Sequence, residues 1–409
     1  MKKSLLYILF EGFSKGGSYL LLLFIANFFS NEMYISLMTL LSFETLLKMF
    51  FVSYYGEALY KLQNIYPKNR LFPSYIALVI VQVLLIALLI ITAHSLLFHY
   101  FGHGNLLTYF AILINAILFN SFRLNSSYSQ IQENHRTAII YRSLPFFSAF
   151  AFSLLFVWLF NDKILGFFLG KSVGFFLFQL VVRRRQTFSL RLSFNKAIIS
   201  DILKRSVYLF SNAWLGWVTG IGFINVAKII SKNDLQVAKM GYALNIYSIL
   251  LLAGYGINQV YGPRLKKLIE TNSLEAGIEF SKKIQFLFIG IVLFGSLSFI
   301  GLDIIFNYFS IDLSIVPNFV DFWNVVPAAI AVFFFSSFAW IANPYYYILD
   351  RYKEFFRITF WGFIASFIIA IITATKFKIL IAYIILIAIK SVVIYLWILR
   401  KLFPKIGKR

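Results

Sequence analysis

The sequence predicts an all-α polytopic membrane protein of about twelve transmembrane helices, arranged as two pseudo-symmetric six-helix bundles. Three observations predict it. Apolar runs of spanning length recur along the whole chain, basic residues collect in alternate connections, and the pattern repeats at an offset of about 200 residues. Composition agrees: the chain is 60% hydrophobic and 13% charged, with a mean hydropathy of +0.80. Too few polar side chains remain to cover a water-soluble surface.

Taken in order, the spans run from Leu5 to Phe29, Tyr34 to Tyr60, Phe72 to Leu96, Leu106 to Tyr128, Ile139 to Phe160 and Ile164 to Val182. After a basic stretch they continue from Val207 to Ile230, Val237 to Tyr261, Ile284 to Phe306, Phe322 to Leu349, Phe355 to Thr375 and Ile379 to Leu399. A bilayer core needs about 20 predominantly apolar residues per helix, and each run is close to that length. The first run is too long for a signal peptide and contains Glu11 and Lys15, so it reads as a retained first span.

The net charge of +22 falls between the apolar runs, which favours cytoplasmic loops over a nucleic-acid surface. With both termini cytoplasmic, the inner segments hold the basic clusters. Among them are Lys2 and Lys3, the Arg183–Arg185 run, Arg264 with Lys266 and Lys267, and Arg351 with Lys353 and Arg357. The outer segments hold only Lys163, Lys228, Lys232, Lys239, Lys376 and Lys378. This asymmetry predicts an even number of spans.

The repeat aligns Lys3-Ser4 with Arg205-Ser206, the Ser30-Asn31-Glu32 turn with Ser231 to Asp234, and Tyr55-Gly56 with Tyr255-Gly256. The predicted division is residues 1–182, a basic cytoplasmic linker at 183–206, and residues 207–409. Parallel repeats of this kind are common in transporters, with the substrate site between the halves.

A charge at mid-bilayer costs roughly 2.5–3.5 kcal/mol on insertion scales, so it faces water or a partner. Lys15, Lys48, Lys171 and Lys390 lie near the middle of their spans, and Arg123 lies nearer the inner end of span four. Glu11 precedes Lys15 by one turn, and Glu44 precedes Lys48 likewise, the favourable order for a helical ion pair. Such a pair either neutralises itself or opens to grip an anion or carry a proton. Lys171 and Lys390 have no such partner in their own helices, so the deep charge is net positive and suits an anionic substrate.

The second half carries aromatic and amide stripes instead. Trp214, Trp217, Ile221, Asn225 and Lys228 share one helical face, and Asn245, Ser248, Tyr255 and Gln259 another. Ser336, Trp340, Asn343 and Tyr347 form a third stripe, and Tyr383, Lys390 and Trp397 a fourth. Rings and amides suit sugars, and they equally serve helix packing. The candidates for sugar contact are Trp214, Trp217, Asn225, Asn245, Tyr255, Gln259, Trp340, Asn343 and Tyr383.

Several chemistries find no support. Gly166 to Ser172 reads GFFLGKS, one residue short of a nucleotide-binding loop and inside a span. His99 and His103 flank an outer glycine loop without an evident carboxylate, so no metal site is expected. No loop carries a carboxylate pair or triad that would make the chain an enzyme, and without cysteine there is neither a disulfide nor thiol chemistry. No catalytic residue and no cofactor is expected.

The stretch from Ser18 to Leu62, with its short Ser-Asn-Glu turn and Gly-Glu-Ala-Leu-Tyr-Lys exit, resembles the N-terminus of bacterial O-antigen and capsule flippases, the Wzx family. That family belongs to the multidrug/oligosaccharidyl-lipid/polysaccharide (MOP) exporters. The resemblance extends along the chain in span count, repeat and basic linker. It implies two six-helix bundles around a central lumen, working by alternating access. It implies an undecaprenyl-pyrophosphate-linked oligosaccharide, flipped from the cytoplasmic to the periplasmic face of the bacterial inner membrane. Lys15, Lys48, Arg123, Lys171 and Lys390 are then the lumen cations for that substrate, and Glu11 and Glu44 the candidates for coupling to a proton or sodium gradient. The implied partners are the lipid-linked oligosaccharide, membrane lipid, a polysaccharide polymerase and a chain-length regulator, with no nucleic acid. Two rivals stay open: a multidrug or cation antiporter of the same superfamily, and an O-antigen polymerase. The polymerase needs a long outer loop with Arg residues, and the longest outer loop here, about Asn307 to Asp321, contains none.

Overall fold

The computed structural model describes residues 22, 25–51, 62, 65–131, 135–182, 192–231, 233–271, 274–309, 322–349, 351–376 and 378–402. Among these the regular structure is helical throughout. The helices are α1 (Asn31–Phe51), α2 (Lys68–Thr92), α3 (His94–Phe101), α4 (Leu106–Ile131), α5 (His135–Leu159), α6 (Lys163–Val182), α7 (Lys196–Thr219) and α8 (Phe223–Ile230). They continue with α9 (Asp234–Thr271), α10 (Leu274–Phe309), α11 (Phe322–Ile348), α12 (Tyr352–Lys376) and α13 (Ile379–Leu402). Most of span one, with Glu11 and Lys15, lies outside the described residues, as do Tyr55-Gly56, residues 183–191 of the linker and residues 310–321.

Where its residues are described, every predicted span from the second to the twelfth is helical, the third falling on α2 and α3 and the seventh on α7 and α8. Among the described residues, eight helices are long and apolar enough to cross a membrane, or nine if the bent pair α7–α8 counts as one span. The expected figure of about twelve is therefore larger than length and hydropathy alone select. In α5 the apolar part is short, from Ser143 to Leu159, and α9 does not qualify. Helices α2 and α10 are mostly exposed, with Leu84, Leu88, Phe286 and Phe294 turned outward. Such apolar surfaces belong against lipid.

The chain divides into two compact units. Among the described residues, the first holds those from 32 to 217, and the second holds those from 218 to 402 together with those from 22 to 31. The helical half of the basic linker belongs to the first unit. Helix α7 starts at Lys196, well before the predicted span, and Tyr66 donates a 2.7 Å hydrogen bond to Asp201 on it.

In the first unit, α6 is organised by its three sides. Gly166, Gly170 and Gly174 recur every fourth residue and face α5. A Cβ on Gly174 would sit 2.6 Å from the carbonyl oxygen of Ser148, and one on Gly170 would strike the carbonyl of Phe152. Small residues at this spacing let two helix backbones touch. The GFFLGKS segment is thus a packing stripe rather than a phosphate loop. On roughly the opposite side of the helix, Ser172 donates to Asn115 Oδ1 at 2.9 Å on α4. Asn115 in turn donates to the carbonyl of Phe168 at 3.1 Å. The remaining side presents Lys171.

The second unit packs α9, α10, α11, α12 and α13 around Tyr261, Phe288, Phe333 and Tyr345. A polar knot lies inside this apolar core. Tyr261 OH meets Ser281 Oγ at 2.8 Å and donates to the Ile341 carbonyl at 3.1 Å, while Tyr345 OH closes on Ser281 Oγ. Buried hydroxyls need such partners, and here three helices supply them to one another.

Candidate functional site

Helix α1 places Glu44 and Lys48 one turn apart, so both point to the same side. Glu44 is fully buried. Lys48 Nζ lies 2.7 Å from Glu44 Oε1, a charge contact outside good hydrogen-bond alignment. Lys171 Nζ donates to the other oxygen, Glu44 Oε2, at 2.8 Å. The predicted pair is therefore a trio, and Lys171, which lacks a partner within its own helix, finds one on α1. Two ammonium groups share one carboxylate, so the cluster keeps a surplus positive charge.

Rings and amides hold the trio in place. Lys48 Nζ stands 4.7 Å from the centroid of Phe119, and Lys171 Nζ 5.8 Å from that of Phe167. Such cation–ring contacts stabilise an ammonium that has left water. Asn120 donates to the Lys48 carbonyl at 3.3 Å, and its own Oδ1 has no hydrogen-bond partner among the described residues. Arg123 also lies over Phe119, at 5.9 Å, with its side chain exposed, as a residue able to reach the interface would be.

In the second unit, Lys390 on α13 donates to Thr219 Oγ1. Thr219 is the last residue of α7, where span seven breaks and bends by 44° before α8. Gly220 and Gly222 occupy the break, residues that lower helix propensity and admit the bend. A broken span at membrane depth is tolerated where it is buried in protein or lines water, and freed carbonyls there attract cations. The break also divides the predicted stripe: Trp214 and Trp217 lie before it, and Asn225 and Lys228 after it, so they do not form one continuous face.

The remaining candidates occupy varied positions. Trp214 is exposed. Trp217 donates from its indole to the Ser42 carbonyl at 2.9 Å and so braces the helix that carries Glu44. Asn225 and Asn245 are buried, with Asn225 donating to the Gly222 carbonyl at the break. Trp340 packs edge-on against Phe333 and tilted against Phe288 in the core. Tyr383 is buried against Phe223, its ring centroid 5.4 Å away. Asn343 Oδ1 is buried without a hydrogen-bond partner among the described residues. The side chains of Tyr255 and Gln259, like all of Glu11 and Lys15, lie outside the described residues.

The outer histidines differ from expectation in one respect. His103 Nε2 lies 3.2 Å from Asp162 Oδ1, so a carboxylate is near after all, brought in by the α5–α6 turn. Among the described residues no group of three metal-ligating side chains forms. Sequence reasoning missed Phe119, Asn120 and Thr219 as partners of the deep lysines. A polar or aromatic residue within a span was the only available signal.

No protein-family model and no curated protein matches the sequence. Solved structures do. A Vibrio cholerae MATE transporter matches with a TM-score of 0.63 at 13% identity, covering 98% of this chain and 97% of that one. The fold is that of the MATE-type transporters. A eukaryotic MATE transporter matches with a TM-score of 0.62 at 14% identity, covering 99% of this chain and 97% of the other. An inward-facing multidrug resistance MATE family transporter of the MOP superfamily matches with a TM-score of 0.61 at 12% identity, covering 99% and 96%. At 12–14% identity the likeness is one of fold.

Proposed function

We propose that this chain is a flippase that carries an undecaprenyl-pyrophosphate-linked oligosaccharide from the cytoplasmic to the periplasmic face of the bacterial inner membrane by alternating access. The observation that carries the reading is the Glu44 trio. A cation exporter needs a deep carboxylate open to its cargo, and Glu44 is already claimed from both sides by Lys48 and Lys171. The surplus cation suits a pyrophosphate, whose oxygens accept charge-assisted hydrogen bonds. Lys390 at the broken span adds a second deep cation of the same kind. Glu44 is the group through which a proton gradient would act, because protonation releases its hold on both amines.

The multidrug antiporter is a second reading, favoured by the MATE-type fold shared with multidrug transporters. Deletion of the gene separates the two. The flippase reading expects single repeat units to accumulate on the lipid carrier at the cytoplasmic face and surface polysaccharide to vanish. Normal surface polymer together with new drug sensitivity would establish the antiporter instead.

A further inference from the structure

One end of the second unit carries a pocket of about 650 Å³ between the start of α12 and the end of α13, lined by Arg351, Lys353, Glu354, Arg357, Trp361 and Trp397. Its floor is apolar, from Ile358 and Val393. Helical spacing explains the wall. Lys353, Arg357 and Trp361 follow one another at intervals of four, so they rise along one side of α12. The two helices come close at Gly362, where a Cβ would meet Val393 Cγ1 at 3.4 Å.

Glu354 organises the pocket. Its Oε2 accepts from Arg351 Nη1 at 3.1 Å, and its Oε1 accepts from the Trp397 indole at 3.0 Å. Both carboxylate oxygens are thereby engaged, and Trp397 is held in place across the pocket. Three cations face this single carboxylate. Among the described residues neither Lys353 nor Arg357 has a carboxylate partner, and both are exposed. Trp361 is 66% exposed beside them.

This combination has a definite chemistry. The charge asymmetry puts Arg351, Lys353 and Arg357 on the inner side, where anionic lipids attract cations. Tryptophans at a span end sit at headgroup level, their rings toward the acyl chains. A pocket with a cationic rim, an apolar floor and two indoles fits an amphiphile with an anionic head. We propose that it binds the phosphate-bearing headgroup of a membrane lipid, with Lys353 and Arg357 on the phosphate and the acyl chain passing along Trp361 and Val393. Lys390 is not among the lining residues, and the proposal rests on the lining alone.

Native mass spectrometry of the purified full chain tests this with three probes: phosphatidylglycerol, phosphatidylcholine and undecaprenyl phosphate. Phosphatidylglycerol or undecaprenyl phosphate should be retained in preference to the zwitterionic lipid. In the double variant Lys353→Ala with Arg357→Ala, both exposed positions, that preference should fall on the order of tenfold. Retention of phosphatidylglycerol identifies bulk phospholipid as the source. Retention of undecaprenyl phosphate alone identifies the carrier lipid. No preference for either over phosphatidylcholine, or a preference unchanged in the double variant, overturns the proposal.

Discussion

Lys171 Nζ donates to Glu44 Oε2 at 2.8 Å, joining two helices whose residues lie 127 positions apart in the chain. With Lys48 on the other oxygen, Glu44 is the shared counter-charge of two buried amines. Removing it leaves both uncompensated, which costs about 3–5 kcal/mol for a buried pair. Glu44→Gln should therefore lower the unfolding temperature in detergent. Adding Lys171→Met to Glu44→Gln should restore part of the loss, because one stranded charge goes with it. A strictly additive double variant would show that the two side chains do not interact.

Lys171→Met alone leaves Glu44 paired with Lys48. Protein should remain in the membrane, while export of the lipid-linked oligosaccharide should fall by about tenfold or more, the size of one lost charge-assisted contact. Quantifying surface polysaccharide against membrane-inserted protein measures this. Full export at normal protein level would make Lys171 structural.

Lys390→Met removes the donor to Thr219 at the break of span seven. Thr219→Val removes the acceptor and keeps the cation. If Lys390 serves the substrate, the first variant should reduce export severely and the second mildly. Equal loss in both would reduce the role of Lys390 to securing the broken helix.

Gly170→Ala should destabilise the first unit, because its Cβ strikes the Phe152 carbonyl on a helix that cannot yield locally. Overpacking of this kind costs about 1–3 kcal/mol. Gly290→Ala on α10 meets nothing within 4 Å and should leave the unfolding temperature unchanged or slightly raised. Thermal unfolding of the two variants side by side makes the comparison.

Ser281→Ala removes the hydroxyl that Tyr261 and Tyr345 share, so Tyr345 loses that partner while Tyr261 keeps the Ile341 carbonyl. The expected cost is about 1–3 kcal/mol, read as a lowered unfolding temperature. An unchanged midpoint would mean that the two phenols re-pair directly.

The sequence by itself determined that this is a polytopic helical membrane protein, where most of its helices lie, and that cations sit deep within them. Burial in lipid writes itself into composition, since each span must be apolar over a bilayer thickness. The Glu44–Lys48 contact was legible for the same reason that helical neighbours are: four residues make one turn. Only the tertiary structure decided that Lys171 completes that pair, that Asp162 reaches His103, and that Lys390 meets Thr219 at a bend. Those contacts join residues far apart in sequence, and no local periodicity encodes which helix lies beside which. The GFFLGKSVG segment shows the boundary most clearly. Its spacing was visible, but its meaning as a contact stripe appeared only when the carbonyls of α5 were found against it.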